Sequence, residues 1–291
     1  MKSTCSKFAT IVALMWIILM IWWPVSLAGG DEYTIYFVDA SQNPGQVYAS
    51  PPGGVESSLF TRPSGNIYSF AFHPVKEKLF YCNANDNKIF NSFESCDDPS
   101  SWGPEQIIYN HTTYVRHVAI YNDTIRGPRL FFSEASGSGG DGKIFELISR
   151  DRAVLYRDVR LADVDGFWAG DFTFDDRGRL YLSSGNTVPA SIYKVEDDGS
   201  IGRIFTDPAE PIRGLACKDN AIYYANWDKM IYRLDLSTLA KSEYRTLEGH
   251  QWISDVGFWD WTSSTCPGIR ATDEPLSVTH IGLLTRAPNS S

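Results

Sequence analysis

Short apolar and alternating runs follow one another along the chain from Tyr33 onward. They are separated by Gly, Asn, Asp and Pro, and no long stretch after the N-terminal segment shows the apolar spacing of a helix. Short runs with period-two alternation between turn-forming residues are typical of β-strands. The pattern therefore predicts an all-β fold.

One unit of four strands recurs along the chain. A short inner strand is followed by a turn, a second strand, a polar loop, a third strand and a fourth strand. The inner strands are predicted at Ser69–Phe72, His117–Ile120, Asp171–Phe174, Gly214–Cys217 and Asp255–Phe258. Their first residues lie 48, 54, 43 and 41 residues apart. This spacing predicts the four-stranded blades of a β-propeller.

The two ends of the pattern complement each other. Asp255–Phe258 is an inner strand with no second strand after it, whereas Tyr33–Val38 and Gln46–Tyr48 are outer strands with no inner strand before them. Pairing of the N- and C-terminal strands completes a blade and removes two exposed edges. We predict one propeller over residues 29–261 with five counted blades. Residues 262–291 form a packed extension, and the chain from Trp261 offers a divergent sixth blade as the alternative.

Two segments carry a family resemblance. The segment Ala221–Leu236, which reads Ala-Ile-Tyr-Tyr-Ala-Asn-Trp-Asp at its start, resembles a YWTD repeat of lipoprotein-receptor propellers. Asp171–Leu182 resembles NHL and gluconolactonase-type repeats. The resemblance extends as a pattern over most of residues 33–260 and implies the propeller fold. Those families are usually six-bladed and include receptors, scaffolds and lactonases, so the fold does not specify the function.

Residues 1–28 have the pattern of a targeting segment. Lys2 and Lys7 precede an uncharged run, Phe8–Trp23, and Ser26 and Ala28 lie at −3 and −1 of a potential cleavage site before Gly29. The run is slightly short for a membrane span of roughly 20 residues. Cleavage as a signal peptide and retention as an N-terminal anchor stay open, and both predict a secreted or extracytoplasmic protein.

An exported chain favours disulfides and glycosylation. The region after the leader holds four cysteines, and we predict the pairs Cys82–Cys96 and Cys217–Cys266, with buried free thiols as the alternative. Glycosylation sequons begin at three asparagines, which are Asn110, Asn122 and Asn289.

The charge balance limits the classes of partner. Without Lys2 and Lys7 the chain has 24 basic and 35 acidic residues, a formal charge of −11. An acidic surface repels nucleic acid and anionic membranes. We therefore expect no nucleic-acid partner, and membrane contact only through an uncleaved N-terminal segment.

Propeller geometry predicts which polar residues meet. Residues at the start of the inner strands, and the loops between second and third strands, face the same mouth of the central channel. Carboxylate and amide oxygens at such a point suit a hard cation such as calcium, and the lactonase resemblance implies a divalent metal held in this way. The candidate metal ligands are Asp39, Glu134, Asp171, Asn186 and Asp255.

The same mouth offers two chemistries besides metal binding. His117 is the candidate general base if the protein is a metal-dependent lactonase or esterase-like hydrolase. Arginines at the mouth favour a polar or anionic ligand, or pair with the carboxylates instead. The candidate ligand-binding residues are Arg116, Arg213, Asn85, Asp228 and Trp227.

Aromatic residues also allow two interpretations. Trp227 lies in a polar loop and is predicted to be the most exposed tryptophan. Trp168, Trp252, Trp259 and Trp261 are expected to pack between blades, although exposed tryptophans would suit sugar or peptide surfaces.

No serine-hydrolase elbow is present in the sequence. We therefore predict an exported recognition propeller that binds a protein, peptide or glycan at the channel mouth. A calcium-dependent hydrolase is the alternative, and whether the protein is an enzyme stays open.

Overall fold

A computed structural model describes residues 33–75, 78–83, 85–93, 102–135, 142–159, 171–185 and 188–259. The predicted leader, the predicted C-terminal extension and the sixth-blade alternative therefore lie outside the described residues. Within the described ranges, no helix has the length and apolar character needed to cross a membrane.

The described residues form twenty strands. In chain order, the first ten are β1 Ile35–Asp39, β2 Gln46–Ser50, β3 Ser57–Thr61, β4 Ser69–Phe72, β5 Lys78–Cys82, β6 Lys88–Phe93, β7 Gln106–Asn110, β8 Tyr114–Asp123, β9 Gly127–Ala135 and β10 Gly142–Ser149. The remaining ten are β11 Arg152–Val159, β12 Phe172–Phe174, β13 Leu180–Ser183, β14 Ala190–Val195, β15 Ile201–Asp207, β16 Arg213–Lys218, β17 Ala221–Ala225, β18 Met230–Asp235, β19 Lys241–Thr246 and β20 Ile253–Gly257.

These strands make five four-stranded antiparallel sheets, which are the blades. Blade 1 has the order β20-β1-β2-β3, and blades 2 to 5 take the strands in sequence, beginning with β4, β8, β12 and β16 as inner strands. Each inner strand lies beside the inner strands of both neighbouring blades, and β16 lies beside β20. The five blades therefore form a closed ring, as the repeat pattern predicted.

Blade 1 contains the strand pair that closes the ring. Strand β20 pairs antiparallel with β1, so that Phe37 lies opposite Val256 and Val38 lies opposite Asp255. The predicted pairing of the N- and C-terminal strands is confirmed. Because this blade joins residues more than 200 positions apart, the ring forms only when both ends of the propeller are present.

The hydrophobic core consists of five clusters, one between each pair of adjacent blades. Between blades 3 and 4, for example, Phe131 packs against Phe172 and Phe174. Alternate residues of each strand point to opposite faces, so one blade contributes to two clusters. Phe131 is fully buried, and truncation of such an aromatic side chain to Ala costs about 3–5 kcal/mol.

The cysteine predictions are not supported by the described residues. Cys82 is a buried free thiol in the cluster between blades 2 and 3, and Cys217 is also free. Their predicted partners, Cys96 and Cys266, lie outside the described residues. The predicted pairs Cys82–Cys96 and Cys217–Cys266 are therefore not shown, and the two described cysteines match the alternative of free thiols.

Candidate functional site at the channel mouth

A belt of five equivalent positions crosses the centre of the propeller. Each is the first residue of a predicted inner strand, and four of the five carry a side chain that is directed towards the next blade around the ring. The central belt consists of Ser69, His117, Asp171, Gly214 and Asp255. Its four side chains are at most 2% exposed. Sequence-equivalent positions thus converge at the mouth, the end of the channel where the inner strands begin.

Hydrogen bonds join the belt to the inner strands. Asp255 accepts from the hydroxyl of Ser69 at 2.7 Å and from the backbone N–H of Phe70 at 2.9 Å. The backbone N–H of Val118 donates to Ser69 Oγ at 3.0 Å. An inner strand is the edge of its sheet, and its unpaired buried N–H groups need partners. The polar side chains of Ser69 and Asp255 satisfy this requirement in the neighbouring blades.

The contacts of His117 determine its proton arrangement. His117 Nδ1 lies 3.0 Å from Ser69 Oγ, and 3.8 Å from both Asp171 Oδ1 and Asp255 Oδ2. Because the single hydroxyl proton of Ser69 is directed to Asp255, the Nδ1 atom donates to Ser69 Oγ. One ring nitrogen therefore faces the serine and both carboxylates.

This arrangement is not that of a hydrolytic triad. A triad requires the serine on one ring nitrogen and the carboxylate on the other, so that the base can remove the serine proton. Here Ser69 donates directly to Asp255, and the serine is fully buried. The described geometry of His117 is that of a structural residue in the belt, and its predicted role as a general base stays untested.

Burial dominates the electrostatics of Asp255. It raises the pKa of Asp255 to about 6, although His117, the Ser69 hydroxyl and the Phe70 N–H favour the ionised form. Asp171 lies close enough to add to the increase. The belt thus holds a carboxyl group that changes charge near pH 6.

Arg213 covers the belt from the mouth side. The Nη1 atom of its guanidinium lies 3.4 Å from Asp171 Oδ2. The whole residue Arg213 is only 1% exposed. It is placed between two aromatic rings, 4.5 Å from the centroid of Trp227 and 5.9 Å from that of Tyr68. Cation–π contacts of this kind are strengthened where the cation is desolvated. The predicted pairing of an arginine with Asp171 is therefore present.

The backbone at Gly214 makes room for this arrangement. Gly214 has a φ of +49° and lies in a bulge of β16 between Arg213 and Leu215. A Cβ atom added there would lie 2.4 Å from the Cα of Asp255. The belt therefore has no side chain at its fifth position, because the inner strand of blade 1 occupies that space.

Two tryptophans lie on the outer side of the mouth. Trp227 is in the loop between β17 and β18, and Trp252 immediately precedes β20. Their ring centroids are 6.4 Å apart. Trp252 is 51% exposed and has a φ of +56°, whereas Trp227 is half-buried against Arg213. We call Trp227 and Trp252 the tryptophan pair.

The structure changes the predicted ranking of the tryptophans. Trp252 is more exposed than Trp227, so its predicted packing between blades was wrong. The backbone at Trp252 is left-handed at this position. Trp259, in contrast, stacks on Phe72 at 4.7 Å, as packing between blades requires. Trp168 and Trp261 lie outside the described residues. The position of Trp252 directly before an inner strand was the available signal for its place at the mouth.

The remaining predicted ligand-binding residues surround the mouth. Asn85 and Asp228 are exposed in the loops after the second strands of blades 2 and 5. Arg116 is the bulged residue between Val115 and His117, is half-buried, and its Nε has no hydrogen-bond partner among the described residues. Arg116 and Arg213 both act electrostatically on Tyr68, whose pKa is raised chiefly by burial.

The predicted metal ligands do not share one set of contacts. Asp39 accepts from Ser41 and from the backbone N–H of Gln251, and lies 3.4 Å from His250 Nδ1. Burial opposes its ionisation, but these contacts outweigh burial and lower the pKa of Asp39 to about 2. Glu134 has separate partners, namely His111 at 2.8 Å, Thr113 at 2.7 Å and Lys143 at 3.2 Å.

Only Asp171 and Asp255 of the predicted metal ligands meet in the belt. Asn186 lies outside the described residues. Across the described part of the chain, no group of three or more His, Cys, Asp or Glu side chains is arranged to hold a metal ion. The calcium site stays a prediction, and the carboxylates that would form it are engaged by Arg213, Ser69 and backbone N–H groups.

The comparisons with known proteins support the fold. No protein-family model matches the chain, and the search of curated proteins gives no significant match. A chain from a crystal structure titled as a nidogen/laminin complex aligns with a TM-score of 0.52 and 12% identity, covering 77% of this chain and 97% of that chain. A Bacteroides thetaiotaomicron structural-genomics protein of unknown function aligns with a TM-score of 0.49 and 10% identity, covering 77% and 61%. The predicted β-propeller fold is thereby confirmed.

Proposed function

We propose that this protein is an exported recognition propeller that binds a protein, peptide or glycan ligand at the channel mouth through the tryptophan pair. The observation that carries the proposal is the exposure of Trp252 beside Trp227 on a polar face. Exposed tryptophan side chains are costly on a free surface and are enriched where proteins bind partners.

The layers beneath the tryptophan pair support a binding role over a catalytic one. Arg213 contacts Trp227 from below and is held by Asp171, so the ring has a fixed orientation before any ligand arrives. A rigid aromatic anchor loses little conformational entropy on binding. In the belt below it, Ser69 hydrogen-bonds both His117 and Asp255, and the belt side chains are buried, which leaves the ring surfaces and the rim residues for recognition.

The nature of the partner is proposed from chemistry and from one precedent. Tryptophan rings stack on sugar faces and on peptide side chains, and the exposed amide and carboxylate of Asn85 and Asp228 add polar contacts at the rim. The matched propeller of known structure comes from a nidogen/laminin complex, which is a precedent for protein binding by this fold. Export is proposed from the N-terminal sequence, and the exposed sequon residues Asn110 and Asn122 are compatible with glycosylation.

The test uses the exported chain against an oligosaccharide array and a displayed peptide library. Wild type is compared with Trp227→Ala/Trp252→Ala and with Ile125→Ala, a matched control that removes an apolar side chain 92% exposed in the turn between β8 and β9. We expect hits that the double variant weakens by about 30-fold, the effect of an interface hot spot, and that the control retains. Hits unaffected by the double variant would refute the tryptophan pair as the binding site.

A further inference from the structure

The far side of the central belt faces a cavity that the tryptophan face does not use. It has a volume of about 160 Å³ and extends from His117 and Asp255 towards the ends of the five inner strands. Its walls carry small side chains from different blades, including Ala71, Ala119, Thr173 and Gly257. A cavity of about 150 Å³ accommodates a molecule as large as benzene.

Backbone groups of the inner strands and the ring of His117 provide hydrogen-bonding groups at this cavity. All five inner strands are sheet edges, so one side of each backbone has N–H and C=O groups outside the strand ladder. His117 forms the inner end. Its Nδ1 is engaged by Ser69, and no hydrogen bond joins Nε2 to any described residue. A ligand hydroxyl can pair with Nε2 in either protonation state of this 2% exposed residue, because a hydroxyl both donates and accepts.

The charges at the cavity favour a neutral ligand. The oxygens of Asp255 already accept from Ser69, Phe70 and the N–H of Val256. The ammonium of Lys218, at the outer end, lies 5.2 Å from the ring of Tyr33. Burial raises the pKa of the Cys217 thiol, which keeps it neutral. The wall therefore offers donors and acceptors rather than an unpaired charge.

We propose that this cavity is a second ligand site, which binds a small neutral polyol with one hydroxyl hydrogen-bonded to His117 Nε2. A polyol carries donors and acceptors on every carbon, which matches the backbone edges better than a single polar group does. The Thr173 hydroxyl, which is hydrogen-bonded to the Cys217 sulfur, keeps capacity for one more partner. The site is independent of the tryptophan face, because the belt separates the two.

The test is an NMR titration of the His117 ring in the isotope-labelled exported chain with erythritol. Butan-1-ol, which has the same number of carbons and one hydroxyl, is the matched probe. We expect a saturable shift with erythritol at a dissociation constant of about 10 mM or lower, and binding of butan-1-ol weaker by about tenfold. A shift that stays linear for erythritol, or equal affinity for butan-1-ol, overturns the polyol site.

Variants locate the binding. Ala119→Leu fills the cavity without removing a polar group, and we expect it to abolish the erythritol response. Thr173→Val keeps the side-chain shape, removes the hydroxyl and is expected to weaken erythritol about fivefold. Thr173→Val alone tests the location of the site if Ala119→Leu does not fold. Ile125→Ala, in the exposed turn between β8 and β9, should leave the response unchanged. Binding that is unaltered in Thr173→Val and in folded Ala119→Leu would refute the assignment.

Discussion

The carboxylates of the central belt and those of the rim differ in what surrounds them, although the sequence grouped them together. Asp255 is buried among backbone N–H groups and other belt side chains, and its pKa is raised to about 6. Asp39, in the adjacent strand of the same blade, has a nearby histidine and several donors, and its pKa is lowered to about 2. The same residue type therefore takes opposite electrostatic roles within one blade.

The different surroundings of the belt and rim carboxylates show which polar positions converge in this propeller. The first residues of inner strands meet because each projects towards the next blade at the centre of the ring. The ends of second strands, which hold Asp39 and Glu134, lie one strand further from the centre. Their side chains pair locally, with His250 and His111 respectively.

The largest expected contrast comes from removing one cation in each region. Arg213→Met leaves Asp171 buried without its cation, and the free energy of unfolding should fall by about 3–5 kcal/mol. Lys143→Met removes a half-exposed partner of Glu134 and should cost less than about 1 kcal/mol. Urea denaturation at pH 7 measures both. Equal losses would show that the belt and the rim do not differ in this way.

The second contrast concerns the empty belt position. Gly214→Ala should cost about 2–4 kcal/mol, because the left-handed φ and the close approach of Asp255 both oppose a Cβ atom. Gly53→Ala is the matched control, since Gly53 has a φ of +58° with no atom within 4 Å of the added Cβ. The control should cost about 1 kcal/mol by thermal denaturation. A Gly214→Ala cost as small as that of the control would contradict the closed belt.

The third contrast is the pH dependence of stability. The pKa of Asp255 is raised from 3.8 to about 6, so its contribution is complete below pH 4 and is lost as the pH rises through 6, a change of about 3 kcal/mol. Asp39 has a lowered pKa, so its contribution is present above pH 4 and is lost as the pH falls towards 2.

Paired substitutions separate these two effects. Asp255→Asn should remove the decline in stability between pH 4 and 6, and Asp39→Asn should remove the increase between pH 2 and 4. Denaturation series across pH 2–8 measure both slopes. If Asp255→Asn leaves the upper slope intact, the belt carboxyl group is not its source.

The smallest expected effect is the heat of calcium binding, which tests the calcium alternative by calorimetric titration. A metal site at the mouth predicts saturable heat when calcium is added to the protein, and loss of that heat in Asp171→Ala. The recognition proposal predicts no saturable heat in either protein. Saturable binding in the wild type alone would move the assignment towards a metal-dependent enzyme.

Much of the site could be predicted because equivalent positions of a repeat occupy equivalent places in the ring. His117, Asp171, Arg213 and Asp255 were all expected at the channel mouth, and the described contacts bring them together. Trp252 was placed wrongly because it has a left-handed backbone at the end of a loop, which the pattern of apolar residues does not record. The cavity beyond the belt had no sequence signal, since Ala, Thr and Gly are ordinary residues of a strand.

The sequence alone determined the strands, the four-stranded repeat and the blade shared by the two ends, because alternation and turn residues act over a few neighbouring positions. The tertiary structure decided which polar side chains meet and which become buried. Ser69 and Asp255 are 186 residues apart, and they bond only after ring closure brings blade 1 beside blade 2. Burial and charge then follow from that packing, and so no local pattern specifies the opposite pKa shifts of Asp255 and Asp39.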